Sequence, residues 1–406
     1  MYSNFSKTFF LKFYKAMTIA FFFNFIFPNQ DIPQNFDKCL WIKSESLDSE
    51  KSIKNIISDA YKSGYKIIFL QLDVHNNHLY NPLIIKGTQN RTFDPLNIAL
   101  YWANLYDIEL HVWINAYKIW SSTWPPSEDH IFYQLRENNK DWFASDINGH
   151  IDCNLVLNKS KNNFSGIYLS PLNQSSNHYI KDIIQKLLVD YKGKFDGIHL
   201  DYFRYKDSMY GYNYIGRKLF QNIHNIDPIY LNKDIDFNNA ELNDSIHNIK
   251  DNWLKFKNKH IDILIQDLDL LLDDYNTNFS KKIKLSVAVK PDIYEAKVRW
   301  NQNWDYWLNN DFVDFVVVMN YFSDMESFSN NLWELYKYFY NTKNINKIYI
   351  GINTIDENLG ENELKDIDLI KNQVKNVQDF SFPGIAIFSS EYYNFYPTLY
   401  LDIFSQ

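Results

Sequence analysis

One segment of the chain ends a strand pattern with side chains that could do chemistry. The sequence KFDGIHLDYFRYKD occupies residues 194–207. Because side chains alternate across a strand, His199 and Asp201 point to one face, and the neighbouring aliphatic residues point to the other. A carboxylic acid can donate or accept a proton, and its ionised form can act as a nucleophile. Asp201 is therefore our first catalytic candidate, with Tyr202 and Arg204 directly behind it as binding candidates.

Three further carboxylates follow other apolar runs. Asp73 follows KIIFLQL, Asp292 follows KIKLSVAVKP, and Glu391 follows GIAIFSS. Glycoside hydrolysis uses one carboxylic acid as proton donor and a second carboxylate as nucleophile or base. We predict that Asp201 is the nucleophile or base and that Asp292 is its partner, with Glu391 and Asp73 as alternatives. Carboxylates that crowd at one rim would push one another's pKa values apart.

The spacing of that pair would decide the stereochemistry of the reaction. A separation near 5 Å is typical of retaining enzymes, and one of roughly 6.5–9.5 Å is typical of inverting enzymes. The sequence leaves both outcomes open.

Polar and aromatic side chains at the strand ends are suited to binding a sugar. In ELHVWIN, strand alternation leaves three such residues on one face. Histidine and asparagine can bond sugar hydroxyls, and tryptophan and tyrosine can stack on ring faces. The predicted substrate-binding residues are His111, Trp113, Asn115, His199, Tyr202, Arg204, Asn320 and Tyr321.

The elements that must position these residues form a repeating pattern. Short apolar runs alternate with helical stretches, as expected of βα units and a parallel sheet. Ser49 and Asp94 are predicted N-caps, and Pro95 suits a first helical position. The predicted strands are residues 39–45, 66–74, 108–117, 195–203, 282–292, 313–322, 347–354 and 384–390, and the helices between and after them lie near 49–64, 94–106, 176–191, 250–275, 301–309, 326–341, 361–378 and 393–403.

Eight βα units predict a single (β/α)₈ TIM barrel. The surplus length falls in two long loops, residues 118–175 after the third strand and 204–249 after the fourth. Active sites of this fold lie at the C-terminal ends of the strands, where the polar residues above occur. A doubly wound open sheet is the alternative, but it would normally carry a glycine-rich turn after its first strand, which this sequence lacks.

Composition excludes some classes of function. The net charge is −8, and no basic stripe occurs that would suit a nucleic-acid partner. The 18% aromatic content fits both a large core and sugar binding. Cys39 and Cys153 lack metal-ligand spacing and are too few for a disulfide framework, although the pairing of these two stays open. We predict no cofactor.

The N-terminus has the pattern of an export signal. Lys7, Lys12 and Lys15 precede the apolar run AMTIAFFFNFIF, residues 16–27. This run is short for a membrane span and suits the apolar region of a signal peptide. We predict export, with residues 1–35 as a signal peptide or an uncleaved membrane anchor and residues 36–406 as the barrel domain.

Several motifs in order resemble a known family. FDPLNIALYWANLYDIELHVWINAYKIW, LSPLNQSSNHYIKDIIQKLLVDYKGKFDGIHLDYFRY and WNQNWDYWLNNDFVDFVVVMNY are similar to segments of the bacterial glycosyl-hydrolase-like family 10 proteins, also called YngK-like. The resemblance spans about residues 38–390. It implies a (β/α)₈ barrel that acts on a polysaccharide or other glycan, often after export, with the acidic residue that closes the D-G-I-H-x-D motif, here Asp201, as catalytic. Many members carry a second acidic residue directly afterwards, where this chain has Tyr202.

Two other classes of protein are compatible with parts of this pattern. The departure at Tyr202 would suit a carbohydrate-binding barrel without catalysis. A metal-dependent hydrolase usually carries an H-x-H pair on its first strand, and WIKSE has none. The side chains that would suit a metal are His75, His78, His111, His199, Asp73 and Asp292.

Overall fold

Eight parallel strands of the chain close into a barrel, which confirms the predicted fold class. The structure is a computed structural model and describes residues 36–75, 93–122, 124–128, 130–157, 165–232, 240–356, 363–390 and 403. Its strands are β1 (Asp37–Ile42), β2 (Ile67–Gln71), β3 (Glu109–Asn115), β4 (Lys118–Trp120), β5 (Ile167–Tyr168), β6 (Gly197–Asp201), β7 (Lys284–Val289), β8 (Phe315–Met319), β9 (Ile348–Asn353) and β10 (Gly384–Phe388). The barrel order is β1, β2, β3, β6, β7, β8, β9, β10, with β10 pairing back to β1.

Helices surround this barrel and also occupy its long loops. The α-helices among the described residues are α1 (Glu50–Lys62), α2 (Pro95–Leu105), α3 (Ile131–Asn138), α4 (Gln174–Asp190), α5 (Tyr214–His224), α6 (Ala240–Phe279), α7 (Ile293–Arg299), α8 (Trp304–Asn309), α9 (Met325–Phe339) and α10 (Ile367–Asp379). The short antiparallel sheet β4–β5 and helix α3 lie in the long loop after β3, and α5 lies in the long loop after β6. The helix predicted at 393–403 falls almost wholly outside the described residues.

The helix starts follow the capping signals of the sequence. The Ser49 side chain accepts a hydrogen bond from the Ser52 amide at 3.1 Å, which caps α1. Asp94 accepts from the Asn97 amide at 3.1 Å and caps α2, whose first residue is Pro95. Each cap satisfies an amide that the first helical turn leaves without an intrahelical partner, and contributes roughly 1 kcal/mol.

Two separate apolar layers hold the barrel together. Aliphatic residues of alternate strand positions, such as Ile198 and Leu200, pack outward against the helices. The inner layer is largely aromatic, with Trp41, Phe69 and Phe315 inside the ring of strands. The Trp41 and Phe69 ring centroids lie 5.4 Å apart. Barrel interiors are usually filled with branched aliphatic side chains, so this interior departs from the common pattern.

The two cysteines of the chain do not pair with each other. Cys39 lies inside the barrel and Cys153 in the loop after β3, and both are buried free thiols. Residues 1–35, for which we predict a signal peptide or anchor, lie outside the described part of the chain. Within that part, no helix is both long enough and apolar enough to cross a membrane.

Candidate active site

Asp201 is the last residue of β6 and lies at the mouth formed by the C-terminal ends of the strands. The residue is only 9% exposed, and its Oδ1 accepts a hydrogen bond from the Tyr202 amide at 2.6 Å. Burial raises the pKa of Asp201 above its ordinary value, while the Tyr202 amide and the cations Arg204, Lys118 and Lys290 act in the opposite direction. The charged side chains that act most strongly on this carboxylate are therefore cations, where the sequence predicted other carboxylates.

Tyr202 gives the mouth an aromatic wall beside Asp201. Its backbone lies in the left-handed region, with φ of 50°, which turns the chain sharply away from β6. The Lys118 ammonium lies 4.4 Å from the centre of the Tyr202 ring, and the Arg204 guanidinium lies 5.1 Å from it. Burial raises the pKa of Tyr202 to about 12, so its hydroxyl stays protonated at neutral pH.

Trp113 and Asn115 lie beside Asp201 on β3 and are bonded to each other. The Trp113 indole donates to the Asn115 side-chain oxygen at 3.1 Å, and Asn115 pairs in register with Asp201. The His75 imidazole donates from Nε2 to the Asn115 carbonyl at 2.6 Å. Burial lowers the pKa of His75 to about 4, so this ring is neutral at physiological pH. The arrangement fixes the position of Asn115, which keeps it a candidate for sugar binding.

Asp292 lies where helix α7 begins, and it caps that helix. Its side chain is exposed and accepts a hydrogen bond from the Glu295 amide at 2.7 Å. The strand before it ends at Val289, so strand alternation does not govern the direction of this side chain. This geometry gives Asp292 a structural role that the sequence prediction did not include.

Of the other two predicted carboxylates, Asp73 is the one that the structure describes. Asp73 is half-buried and follows β2 by two residues, on the same side of the mouth as Trp113. Strand β3 lies between β2 and β6, so Asp73 and Asp201 belong to strands that are separated by two strand spacings. Glu391 lies outside the described residues.

His199 faces into the barrel, but below the mouth, as a fully bonded core residue. Its Nε2 accepts from the Trp41 indole at 3.1 Å, which fixes the tautomer, so Nδ1 donates to the Ser286 hydroxyl at 2.9 Å. The ring also stacks on Phe69 with 4.0 Å between centroids, and burial holds its pKa well below the ordinary value. A neutral imidazole with both nitrogens engaged has no donor or acceptor left for a substrate.

His111 lies deeper still, toward the N-terminal end of the barrel. Its Nε2 lies 3.4 Å from Glu109, and the ring has no exposed surface. A side chain at Gly197 would overlap the His111 ring, so the glycine makes room for it. Substrate contact by His111 stays a prediction, and the fully buried position of the ring does not favour it.

The side chain of Asn320 faces away from the barrel interior, although strand alternation predicted that it would face inward. The Asn320 amide is fully buried and donates to the Phe328 carbonyl of α9 at 3.2 Å, so it faces the helix layer and not the mouth. Tyr321 lies on the inner side and stacks with Phe388 at 5.7 Å. Substrate binding by Asn320 and Tyr321 stays a prediction, and of these two side chains it is Tyr321 that lies on the inner side of the barrel.

A buried ion pair that the sequence analysis missed joins the two long loops. The Lys206 ammonium lies 2.9 Å from Asp152 Oδ1 and also donates to the Gly166 carbonyl at 2.9 Å. The Asp152 carboxylate accepts in turn from the Tyr168 amide at 2.9 Å. Burial raises the pKa of Asp152 to about 6, against the opposing effect of Lys206. This pair ties the loop after β3 to the loop after β6 beside Tyr202 and Arg204.

Within the described residues, no three histidine, cysteine, aspartate or glutamate side chains lie close enough together to hold a metal ion. His75, His111 and His199 each lie in the separate settings given above, and His78 falls outside the described ranges. The chemistry that this part of the mouth offers is therefore that of a carboxylate, aromatic rings and cationic side chains.

Comparisons with known proteins bear on the fold. No protein-family model matches the chain, and no curated protein does either. The resemblance to family 10 glycosyl-hydrolase-like proteins therefore stays a prediction, although the barrel that it implies is present.

Solved structures do match. The PgaB (BpsB) glycoside hydrolase domain from Bordetella bronchiseptica is 11% identical, with a TM-score of 0.58, over 90% of this chain and 97% of that one. The catalytic domain of a beta-amylase from Paenibacillus polymyxa is 11% identical, with a TM-score of 0.52, over 88% and 93%. A beta-galactosidase from Halorubrum lacusprofundi is 8% identical, with a TM-score of 0.51, over 87% and 52%. At these identities the likeness shows a shared barrel fold.

Proposed function

We propose that the protein is a glycoside hydrolase whose reaction takes place at Asp201. The observation that carries this proposal is a nearly buried carboxylate at the C-terminal end of the fourth barrel strand, with a raised pKa and an aromatic wall beside it. Active sites of TIM barrels lie at this face, and carboxylates perform glycoside hydrolysis. The likeness of the fold to the PgaB (BpsB) glycoside hydrolase domain and to the beta-amylase catalytic domain supports the same function by analogy.

In this proposal Asp201 acts in its ionised form, as base or nucleophile. Burial raises the pKa of Asp201 above its ordinary value, while the Tyr202 amide and three cations favour the carboxylate. A base is most effective when its pKa lies near the working pH. Tyr202 and Tyr321 would present ring faces to a sugar, and Asn115 would bond its hydroxyls. Trp113 is buried in the inner layer of the barrel and would act by holding the Asn115 side chain.

We propose Asp73 as the proton donor in place of Asp292. Two strand spacings of about 4.8 Å place the backbones that carry Asp73 and Asp201 roughly 10 Å apart. Aspartate side chains on backbones this far apart can bring their carboxyl groups within the roughly 5–9.5 Å that separates the catalytic pair of glycosidases, which leaves both retention and inversion open. Asp292 is engaged as a helix cap and is exposed.

A matched pair of substitutions separates these two carboxylates. We expect Asp73→Asn to lower kcat/KM by about a hundredfold or more, because general acid catalysis typically contributes that much. Asp292→Asn should change kcat/KM by less than about threefold, because asparagine caps a helix as well as aspartate does. The measurement is the release of reducing ends by the full-length chain. The reverse order of effects would return Asp292 to the role of partner.

The pH dependence of the reaction reports the environment of Asp201. Lys118 lowers the pKa of that carboxyl group by favouring its charged form, so Lys118→Gln should raise it. The limb of the kcat/KM profile that belongs to Asp201 should therefore move to higher pH. Lys375→Gln removes a charge from the exposed surface of α10 and should leave the limb in place. An unmoved limb in Lys118→Gln would mean that another group controls the profile.

The proposed function itself is tested with a panel of polysaccharides. We expect the full-length chain to release reducing ends from at least one of them and Asp201→Asn to abolish that release. Glycan binding without release, unchanged by Asp201→Asn, would identify a carbohydrate-binding barrel. Activity that a chelator removes and stoichiometric zinc restores would identify a metal-dependent hydrolase.

A further inference from the structure

Cations outnumber the carboxylate at the place where we locate the reaction. Lys118, Lys290 and Arg204 all act electrostatically on Asp201, which is a single negative charge. Lys206 also acts on Lys118, but the Asp152 ion pair neutralises it. Acid and base chemistry on a neutral sugar needs no such excess of positive charge, so the excess calls for a separate explanation.

Neither lysine forms an ion pair in the part of the chain that the structure describes, although Asp201 acts electrostatically on both and Glu295 acts on Lys290. No ion pair or side-chain hydrogen bond engages the Lys118 or Lys290 ammonium, and each lies over an aromatic ring. The Lys118 ammonium is 4.4 Å from the centre of the Tyr202 ring, and the Lys290 ammonium is 4.8 Å from that of Trp300. Burial lowers the pKa of both lysines to about 8. Both groups would therefore gain from a nearby anion.

Arg204 adds a third unsatisfied group. The residue is 8% exposed, and its guanidinium donates to the Tyr205 carbonyl at 3.1 Å, but its buried Nε has no hydrogen-bond partner. Arginine at the surface of a protein commonly pairs with carboxylates, sulfates or phosphates through two parallel bonds. A buried donor without an acceptor is unfavourable, and a bound acidic group would supply an acceptor to this guanidinium.

Gly166 leaves space for the Lys118 side chain, and its backbone has a conformation that glycine adopts more readily than other residues. Gly166 has φ of 106°, a conformation that side chains disfavour, and a Cβ added there would overlap the Lys118 side chain. The Lys118 stem therefore passes directly over Gly166 and reaches Tyr202. This fit shows that Lys118 has a defined position beside Asp201 and is not a mobile surface lysine.

We propose that the substrate is an acidic glycan and that Lys118, Lys290 and Arg204 bind the acidic groups on its sugar rings. This inference rests on the proposed function and names the class of its substrate. Carboxylate, sulfate and phosphate groups share the chemistry that two ammonium groups and a guanidinium recognise. The polar groups of a neutral sugar would leave the positive charge of the mouth uncompensated.

The test is a binding measurement that does not depend on cleavage. The full-length chain is applied to an array of neutral, amine-bearing, carboxylated, sulfated and phosphorylated glycans. Two matched pairs distinguish the sources of charge: polygalacturonate with its methyl ester, and chondroitin sulfate with unsulfated chondroitin. We expect retention on acidic glycans only, and loss of retention wherever methylation or desulfation removes the group that is recognised.

Variants then assign the binding to the mouth. Lys118→Gln combined with Lys290→Gln should weaken the Kd for the best acidic glycan by about tenfold or more. Lys51→Gln combined with Lys375→Gln removes the same charge from the exposed surfaces of α1 and α10 and should change it less than about twofold. Asp201→Asn should tighten binding severalfold, because it removes a negative charge beside the ligand.

Several outcomes would overturn the inference. Retention of neutral or amine-bearing glycans at equal strength, no retention of any acidic glycan, or unchanged affinity in the double lysine variant would each contradict it. Selective binding without release of reducing ends would remove the proposed function and leave this inference in place. Hydrolysis of a neutral glycan that depends on Asp201 would support the proposed function and contradict the inference of an acidic substrate.

Discussion

Asp201→Asn should lower kcat/KM by about a thousandfold or more, which is the scale expected for loss of an essential catalytic group and corresponds to about 4 kcal/mol of transition-state stabilisation. Asparagine has nearly the same shape as aspartate, and its side-chain oxygen can still accept the hydrogen bond from the Tyr202 amide. It cannot take a proton from water or attack a sugar. The release of reducing ends by variant and wild type measures the ratio.

The melting temperature of the Asp201→Asn variant distinguishes a loss of catalysis from a loss of folded structure. A carboxyl group whose pKa is raised in the folded state contributes stability at low pH, and this stability is lost as the pH rises through the folded pKa. A neutral side chain does not suffer that loss, so the melting temperature of Asp201→Asn at pH 7 should equal or exceed that of the wild type. A fall in melting temperature together with the fall in activity would attribute both effects to structure.

Asp152→Asn should destabilise the fold by about 3–5 kcal/mol, because it leaves the buried Lys206 charge without its counter-ion. The side chains of this pair are 5% and 1% exposed. Solvent therefore cannot replace the lost partner. The free energy of unfolding, extrapolated from urea titration, measures the effect.

Two further variants make that result specific. Asp311→Asn breaks exposed ion pairs with Lys343 and Lys347 and should cost no more than about 1 kcal/mol. Combining Asp152→Asn with Lys206→Met removes both buried charges and should recover at least half of the loss. If Asp152→Asn cost as little as Asp311→Asn, or if the combined variant recovered nothing, the pair would not hold the two loops together as described.

The fold could be predicted because apolar alternation and caps repeat along the chain. Ser49, Asp94 and Pro95 act at the helix starts as their residue types indicate. The eight barrel strands appear where apolar runs were found, and they end earlier than predicted, while β1 begins two residues before its predicted start. The position of Asp201 at the strand end follows from the same local pattern, since one residue separates it from His199 on the same face.

Strand alternation does not predict the direction of a side chain where both faces of the strand are apolar or where the strand has already ended. In β8 the run Phe315–Met319 is continuously apolar, so polarity does not tell which residues face inward, and Asn320 follows the outward set. Asp292 lies beyond the end of β7, where the start of a helix decides its direction. Counting residues along the chain therefore does not give the direction of either side chain.

Contacts between distant loops leave no local signal at all. Asp152 and Lys206 are 54 residues apart in the sequence, and each stands among other charged and polar residues. Lys118 lies past the end of β3, and only the antiparallel pairing of β4 with β5 brings it over Gly166 toward Tyr202. The electrostatic surroundings of Asp201 therefore depend on tertiary structure, even though Asp201 itself was predicted.

The most direct test of the proposed function is a crystal structure of the Asp201→Asn variant with an uncleaved oligosaccharide of the glycan that the wild type cleaves. The proposal predicts a scissile bond at the barrel mouth, with its anomeric carbon within about 3.5 Å of the position 201 side chain or separated from it by one water molecule. An oligosaccharide whose scissile bond lies elsewhere, with position 201 in contact with protein alone, would contradict it.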